Sequence, residues 1–144
     1  MSDRENYDLE QVVIGDEVTV SKTVGEVDVY LYAGITGDNF RNHIDEEYMK
    51  TTVYGGRIAQ GALLIGFMGA ASSIWGSRLK CASASYGYDK VRFIKAVKFG
   101  DTITTKYTVV SKDAQTGKSM AEVRCYNQHG EIVAAATHIN KFFK

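Results

Sequence analysis

The sequence predicts an α+β fold in which a curved antiparallel sheet wraps around one buried central helix. Three observations carry this expectation. DEVTVSKTV (16–24) alternates and is rich in valine, the pattern of a half-buried strand. IAQGALLIGFMGAASSIW (58–75) is apolar on almost every side, and a helix without a polar face belongs in a core. Four further strand-like segments then follow with no second apolar helix among them. Strands gathered after a single helix imply an antiparallel sheet, and one sheet curling around one helix satisfies both burial demands.

The elements follow in order. After the first strand, Thr23 opens T-V-G-E, with Glu26 three residues on. A Thr hydroxyl and a Glu carboxylate at that spacing can each satisfy a free amide at a helix start. The helix that follows carries Val27, Tyr30, Leu31, Gly34 and Ile35 on one face. Gly37 suits the left-handed position that ends a helix. Residues 38–44 read as a polar loop, and Asp45 caps a short helix over 45–54 that Gly55–Gly56 breaks. In the apolar helix, Gly61, Gly66 and Gly69 predict close approach of strand backbone, since each weakens an isolated helix by roughly 1 kcal/mol. The remaining strands fall near 81–97, 101–112, 118–127 and 131–143. KDAQTGK and NQHGE connect them as hairpins, with turns built from Gly, Asn and Asp in a chain that has no proline.

Composition narrows the function classes. A chain of 144 residues fits one domain, 1–144, with a core that needs no staples. Lys plus Arg and Asp plus Glu each total 17, so nothing draws the chain generally to nucleic acid or to an anionic membrane. Zero formal charge is compatible with self-association. The opening MSDRENYDLEQ is polar and acidic, unlike a signal peptide, and no apolar run reaches transmembrane length. The expected setting is the cytoplasm. Cys81 and Cys125 show no metal-like spacing, although a single bridge between them stays open. No zinc pattern, phosphate loop or dinucleotide fingerprint occurs.

Two segments can carry chemistry. Asp38 and His43 lie five residues apart in a loop just past a helix end. A loop can turn both side chains toward one point, where they can hold a water between them and move its protons. Taken alone, the pattern fits a turn or cap residue at Asp38 better than a catalytic one. The second segment, G-G-R-I-A-Q-G-A-L (55–63), leads into the apolar helix. The first amides of a helix lack intrahelical partners, so the Gly61 N–H can donate to a thioester oxygen as it gains charge. A glycine placed there only for close packing is the other reading. His129 and His138 read as turn and strand histidines.

The stretch from Val27 to Ala70 resembles the MaoC-like family of (R)-specific enoyl-CoA hydratases and dehydratases, which have the hot-dog fold. The family pattern A-x-x-[ST]-G-D-x-N-P-x-H-x-D is similar to Ala33 through Asp45, including Thr36, Gly37, Asp38 and His43. The pattern F-G-x-x-I-A-H-G-M-L is similar to Tyr54 through Leu63, and Y-D-K-V-R-F (88–93) with V-K-F-G-D-T-I (97–103) looks like the strand and turn that follow. The resemblance implies that Asp38 and His43 activate water and that the Gly61 N–H polarises the thioester carbonyl. It implies Gln60, Ile58, Phe40 and Tyr54 as substrate-binding neighbours, with Tyr48 beside them. It further implies a homodimer or higher oligomer with sheets joined edge to edge, and an acyl-CoA or acyl-carrier-protein substrate. No metal or redox cofactor is expected, because the thioester itself acidifies C2. Four replacements depart from the pattern: Phe40 and Arg41 for Asn and Pro, Gln60 for His, and Ala96 for Pro. Arg41 adds a charge suited to a substrate carboxylate or a CoA phosphate; Arg92 and Lys95 read as solvated strand-edge charges, with CoA phosphate contacts as the other reading. A thioesterase of the same fold, a non-catalytic acyl-CoA-binding protein and an ammonia-adding lyase are the rival readings.

Overall fold

A computed structural model describes residues 6–144; residues 1–5, the first part of the acidic opening stretch, lie outside the described residues. The elements are β1 (Glu17–Thr23), α1 (Glu26–Thr36), α2 (Arg41–Ile44), α3 (Glu46–Met49), α4 (Gly61–Gly76), β2 (Ser83–Phe93), β3 (Thr102–Asp113), β4 (Lys118–Tyr126) and β5 (Ile132–Phe142). The strands form one antiparallel sheet in the order β1-β3-β4-β5-β2, so β1 and β2 are its edges. Every strand expected from the alternation is present, and α4 packs on one face of the sheet. Among the described residues no helix is long and apolar enough to cross a membrane.

Two helix starts differ from the sequence reading. Thr23 is still in the sheet, opposite Thr102, and their hydroxyls lie 2.8 Å apart. It is therefore unavailable as a cap, and α1 begins two residues later. Gly25 is its cap, and the Asp28 carboxylate accepts from the Gly25 N–H at 2.8 Å. That bond, with Lys22 nearby, holds the Asp28 carboxyl below its ordinary value. The central helix begins at Gly61, not at residue 58, because Ile58 bridges Lys98 and the Ala59 N–H donates to Val97 O at 2.8 Å. Those backbone bonds hold 58–60 extended beside the 94–98 segment.

The apolar faces also settle differently. On α4 only Leu64, Met68, Ala71 and Trp75 are buried, a single stripe facing the sheet. Ala62, Gly66, Ala70 and Ile74 are exposed, so the helix is half covered within one chain. On α1 the buried residues are Val29 and Ala33, whereas Val27, Leu31 and Ile35 are 69%, 59% and 82% exposed. The face that carries Val27, Tyr30, Leu31, Gly34 and Ile35 is turned outward. The glycines of α4 are not alike: nothing lies within 4 Å of a side chain added at Gly66, but one added at Gly61 meets the Phe93 ring at 2.7 Å.

The core centres on Trp75, whose ring lies 5.6 Å from Tyr107 and 6.3 Å from Phe142. Its indole N–H finds Asp16 Oδ2 at 3.1 Å, so the ring is buried without stranding its donor. His138 of β5 is fully buried, with Nε2 2.8 Å from Ser85 Oγ and Nδ1 2.9 Å from the Tyr107 hydroxyl. Burial pushes this imidazole down from 6.5 to about 4. The unfolded chain therefore takes up a proton between those values that the folded chain refuses. The contribution of His138 to folding stability is complete above pH 6.5 and declines as pH falls toward 4, by roughly 3 kcal/mol. Thermal melts across that window should show the decline, and His138→Gln should remove this group's share of the slope.

Candidate active site

The site is assembled where the chain leaves α1, makes two short helical turns and enters α4. Gly37, at φ 79°, ends α1 with its N–H on Ala33 O at 2.8 Å. A left-handed turn there strains any residue with a Cβ, and it throws the chain sideways into Asp38. The Asp38 N–H donates to Thr36 Oγ1 at 3.2 Å. Its carboxylate is exposed and, among the described residues, has no hydrogen-bond or ion-pair partner. It neither caps a helix nor closes a turn. The expected polar loop contains one helical turn, α2, which carries His43. Asp45 then caps α3 by accepting from the Tyr48 N–H at 2.9 Å, so the second helix is real but ends at Met49, well short of residue 54.

His43 is held from behind. Its Nδ1 lies 2.7 Å from Ile58 O, and the Ile58 N–H returns a bond to Asn42 O at 3.0 Å. A carbonyl oxygen only accepts, so Nδ1 carries the hydrogen. The neutral ring then offers a lone pair at Nε2. Ile58 is steadied in turn by Arg57, an anchor that the sequence reading did not single out. Its guanidinium bonds Glu26 at 2.7 Å, Glu46 at 2.8 Å and the Tyr30 hydroxyl at 3.0 Å, and it lies 4.7 Å from the centre of the Phe99 ring. The Glu26 carboxylate, with Glu46 and Tyr30, pushes the Arg57 pKa up. One side chain thus ties α1, α3 and the approach to α4 together. These partners are 31, 11 and 27 residues away, and no local pattern signals such contacts.

A cavity of about 260 Å³ is lined by His43, Tyr54, Ile58, Gly61, Leu64 and the segment Phe93–Val97, with Ala59. Gly61 is the first residue of α4, so its N–H has no intrahelical acceptor and carries the positive end of the helix dipole. The Phe93 ring covers the Gly61 Cα where a side chain would otherwise sit. The structure therefore brings together four of the expected residues: His43, Gly61, Ile58 and Tyr54. Asp38, Phe40 and Gln60 do not line this cavity. Phe40 is 61% exposed on the same loop as Asp38.

Gln60 is buried, and its amide N–H groups reach Val29 O at 3.0 Å and Asp38 O at 3.4 Å. The residue just before Gly61 thus ties the Asp38 backbone to the start of α4. Among the described residues, Gln60 Oε1 is buried with no hydrogen-bond partner. Arg41 lies over the Tyr48 ring at 3.5 Å and pairs with Asp45 at 3.1 Å, so its charge is already engaged beside the loop. Lys95 lines the cavity and pairs with Glu131, whereas Arg92 is exposed and donates to the Val91 carbonyl. Ile94, Ala96 and Val97 also line the cavity and were not anticipated. Their only signal was the match that follows the R-F strand.

A five-stranded antiparallel sheet with one long helix on its face, and an open helix N-terminus beside a histidine, defines the hot-dog class. The solved (R)-hydratase of A. caviae shares this fold at a TM-score of 0.81 and 22% identity, over 92% of this chain and 98% of that one. The chain belongs to the MaoC-like family: the model of the MaoC like domain matches residues 9–131. It is 38% identical to an (R)-specific enoyl-CoA hydratase of Rhodospirillum rubrum, over 70% of this chain and 68% of the relative. It is 31% identical to a 3-hydroxybutyryl-CoA dehydratase of Methylorubrum extorquens, over 70% and 62%.

Proposed function

We propose that this chain catalyses the reversible hydration of a trans-2-enoyl-CoA to an (R)-3-hydroxyacyl-CoA, as a carbon–oxygen lyase. The observation that carries this reading is the shared cavity of His43 and Gly61, with the His43 ring locked by Ile58 O. Asp38 and His43 position a water and take its proton as its oxygen bonds C3. The C2–C3 π electrons move onto the thioester oxygen, where the Gly61 N–H stabilises the enolate. Collapse of the enolate returns a proton to C2. The thioester supplies the acidity at C2, so no metal or redox cofactor is required, and coenzyme A or an acyl carrier protein is the carrier.

The working unit in this reading is a cytoplasmic homodimer. Edge strand β2 offers eleven residues for pairing with a second copy, and both cysteines are free. Uncovered apolar residues on α4 would be sheltered by the same association.

The test uses crotonyl-CoA, followed at once by enoyl absorbance and by a thiol reagent. Hydration removes the conjugated absorbance and releases no thiol. Thiol release with the absorbance intact would instead make the chain a thioesterase, and no change in either would leave it a binding protein.

A further inference from the structure

Among the described residues, no hydrogen bond or ion pair holds the Asp38 carboxylate, so its direction depends on the Asp38 backbone. His43 differs, because Ile58 O fixes its ring. Locally, the Asp38 backbone is steadied by its N–H on Thr36 Oγ1 at 3.2 Å, and Thr36 is itself exposed. The other bond comes from far along the chain. Asp38 O accepts from Gln60 Nε2 at 3.4 Å, across 22 residues.

Gln60 is 1% exposed and sits immediately before Gly61, at the start of α4. The same Nε2 donates to Val29 O of α1 at 3.0 Å. A side-chain amide carries two hydrogens on one nitrogen, and here each has its own carbonyl. Carbonyl oxygens only accept, so the amide cannot be turned over: its nitrogen must face Val29 and Asp38. Oε1 is then left buried, and among the described residues it has no partner. An unpaired buried acceptor destabilises a fold, and an apolar side chain of similar length would avoid that cost. Packing alone therefore gives no reason for an amide at this position. What the amide adds is a link from α1 and Asp38 to the residue before Gly61.

The segment 58–61 thereby serves all three functional groups. Ile58 O holds the His43 ring, Gln60 holds the Asp38 backbone, and Gly61 presents its N–H. The segment is itself fixed, since the Ala59 N–H donates to Val97 O at 2.8 Å.

We infer that Gln60 is a positioning residue for hydration, which sets the Asp38 carboxylate relative to the Gly61 amide by fastening Asp38 O to the start of α4. This role rests on the hydratase reading and deepens it. Gln60→Met keeps the length of the side chain but donates nothing. It should lower kcat for crotonyl-CoA by roughly 10–100-fold, the scale of a misplacement of about 1 Å, with KM and melting temperature close to wild type. Gln60→Glu gives a readout that a space-filling role would not move. A protonated carboxyl can donate to Asp38 O, and an ionised one cannot. The ratio of its kcat to that of wild type should therefore rise as pH falls through the titration of the introduced carboxyl. Asp38 and His43 titrate in both proteins and cancel in that ratio, and the ratio for Gln60→Met should stay flat. By NMR, the Asp38 carbonyl carbon should move upfield in Gln60→Met as its hydrogen bond is lost, with or without turnover.

Full kcat in Gln60→Met, or a pH-independent ratio for Gln60→Glu, would overturn the inference. So would an Asp38 carbonyl resonance unchanged in Gln60→Met. A loss of kcat matched at every pH by a fall in melting temperature would make Gln60 a packing residue and overturn it too. A wild-type chain inert toward crotonyl-CoA fails the hydratase reading, and the carbonyl resonance still decides whether Gln60 holds Asp38.

Discussion

Asp38→Asn is expected to lower kcat for crotonyl-CoA hydration by roughly 10²–10⁴-fold, with KM and melting temperature close to wild type. Among the described residues the exposed carboxylate has no partner, so exchanging it for an amide removes no packing and breaks no ion pair there. An amide of the same shape can still hold a water but cannot take its proton. The measurement is initial rate by enoyl absorbance, beside a thermal melt of the same sample. An Asp38→Asn protein with the wild-type rate would remove Asp38 from the mechanism.

The second large effect is expected at Gly61. A Cβ there falls 2.7 Å from Phe93 Cδ2, far inside the roughly 3.5–4.0 Å at which carbon atoms make contact. Phe93 is 52% exposed, so its ring can swing away at little cost in stability, but its present place is beside the cavity wall. Either the ring intrudes on the bound thioester or the start of α4 shifts with its amide. Gly61→Ala should therefore lose roughly 10²–10³-fold in kcat, the scale of one oxyanion donor. The pair Gly61→Ala, Phe93→Ala separates the causes. Rate recovered by tenfold or more assigns the loss to crowding by the ring, and rate not recovered assigns it to the displaced amide. A single Gly61→Ala variant with full kcat would show that the ring yields without crowding the thioester and that the amide has kept its place.

The site was legible unevenly. Asp38, His43 and Gly61 stood out because the chemistry needs a proton-moving pair and an open amide, and both lie in short local stretches. Gln60 was read as a substrate neighbour, yet it is buried with its amide on Val29 O and Asp38 O. Nothing in the residues around it marks those two carbonyls, which lie 31 and 22 positions away. Arg57 escaped for the same reason. His138 was read as an ordinary strand histidine, since its partners Ser85 and Tyr107 arrive from two other strands. The helix boundaries erred where sheet bonds competed. Thr23 had the chemistry of a cap but was drawn into the ladder opposite Thr102. Ile58 lay in an apolar run but was claimed by a bridge to Lys98.

The sequence by itself determined what depends on near neighbours. Alternation set the five strands, apolar content set the central helix, and glycine at 37 set the turn that releases Asp38. Only the tertiary structure decided which side of each helix is covered. Apolar residues occur all round α4, and on α1 the row Val27, Leu31 and Ile35 is as apolar as the buried pair Val29 and Ala33. Burial goes to the face that the sheet happens to meet, and that is set by strand order and register across the whole chain. The same long-range closure brings Phe93 onto Gly61 and turns His43 Nδ1 onto Ile58 O, contacts spanning 32 and 15 residues that no local pattern encodes.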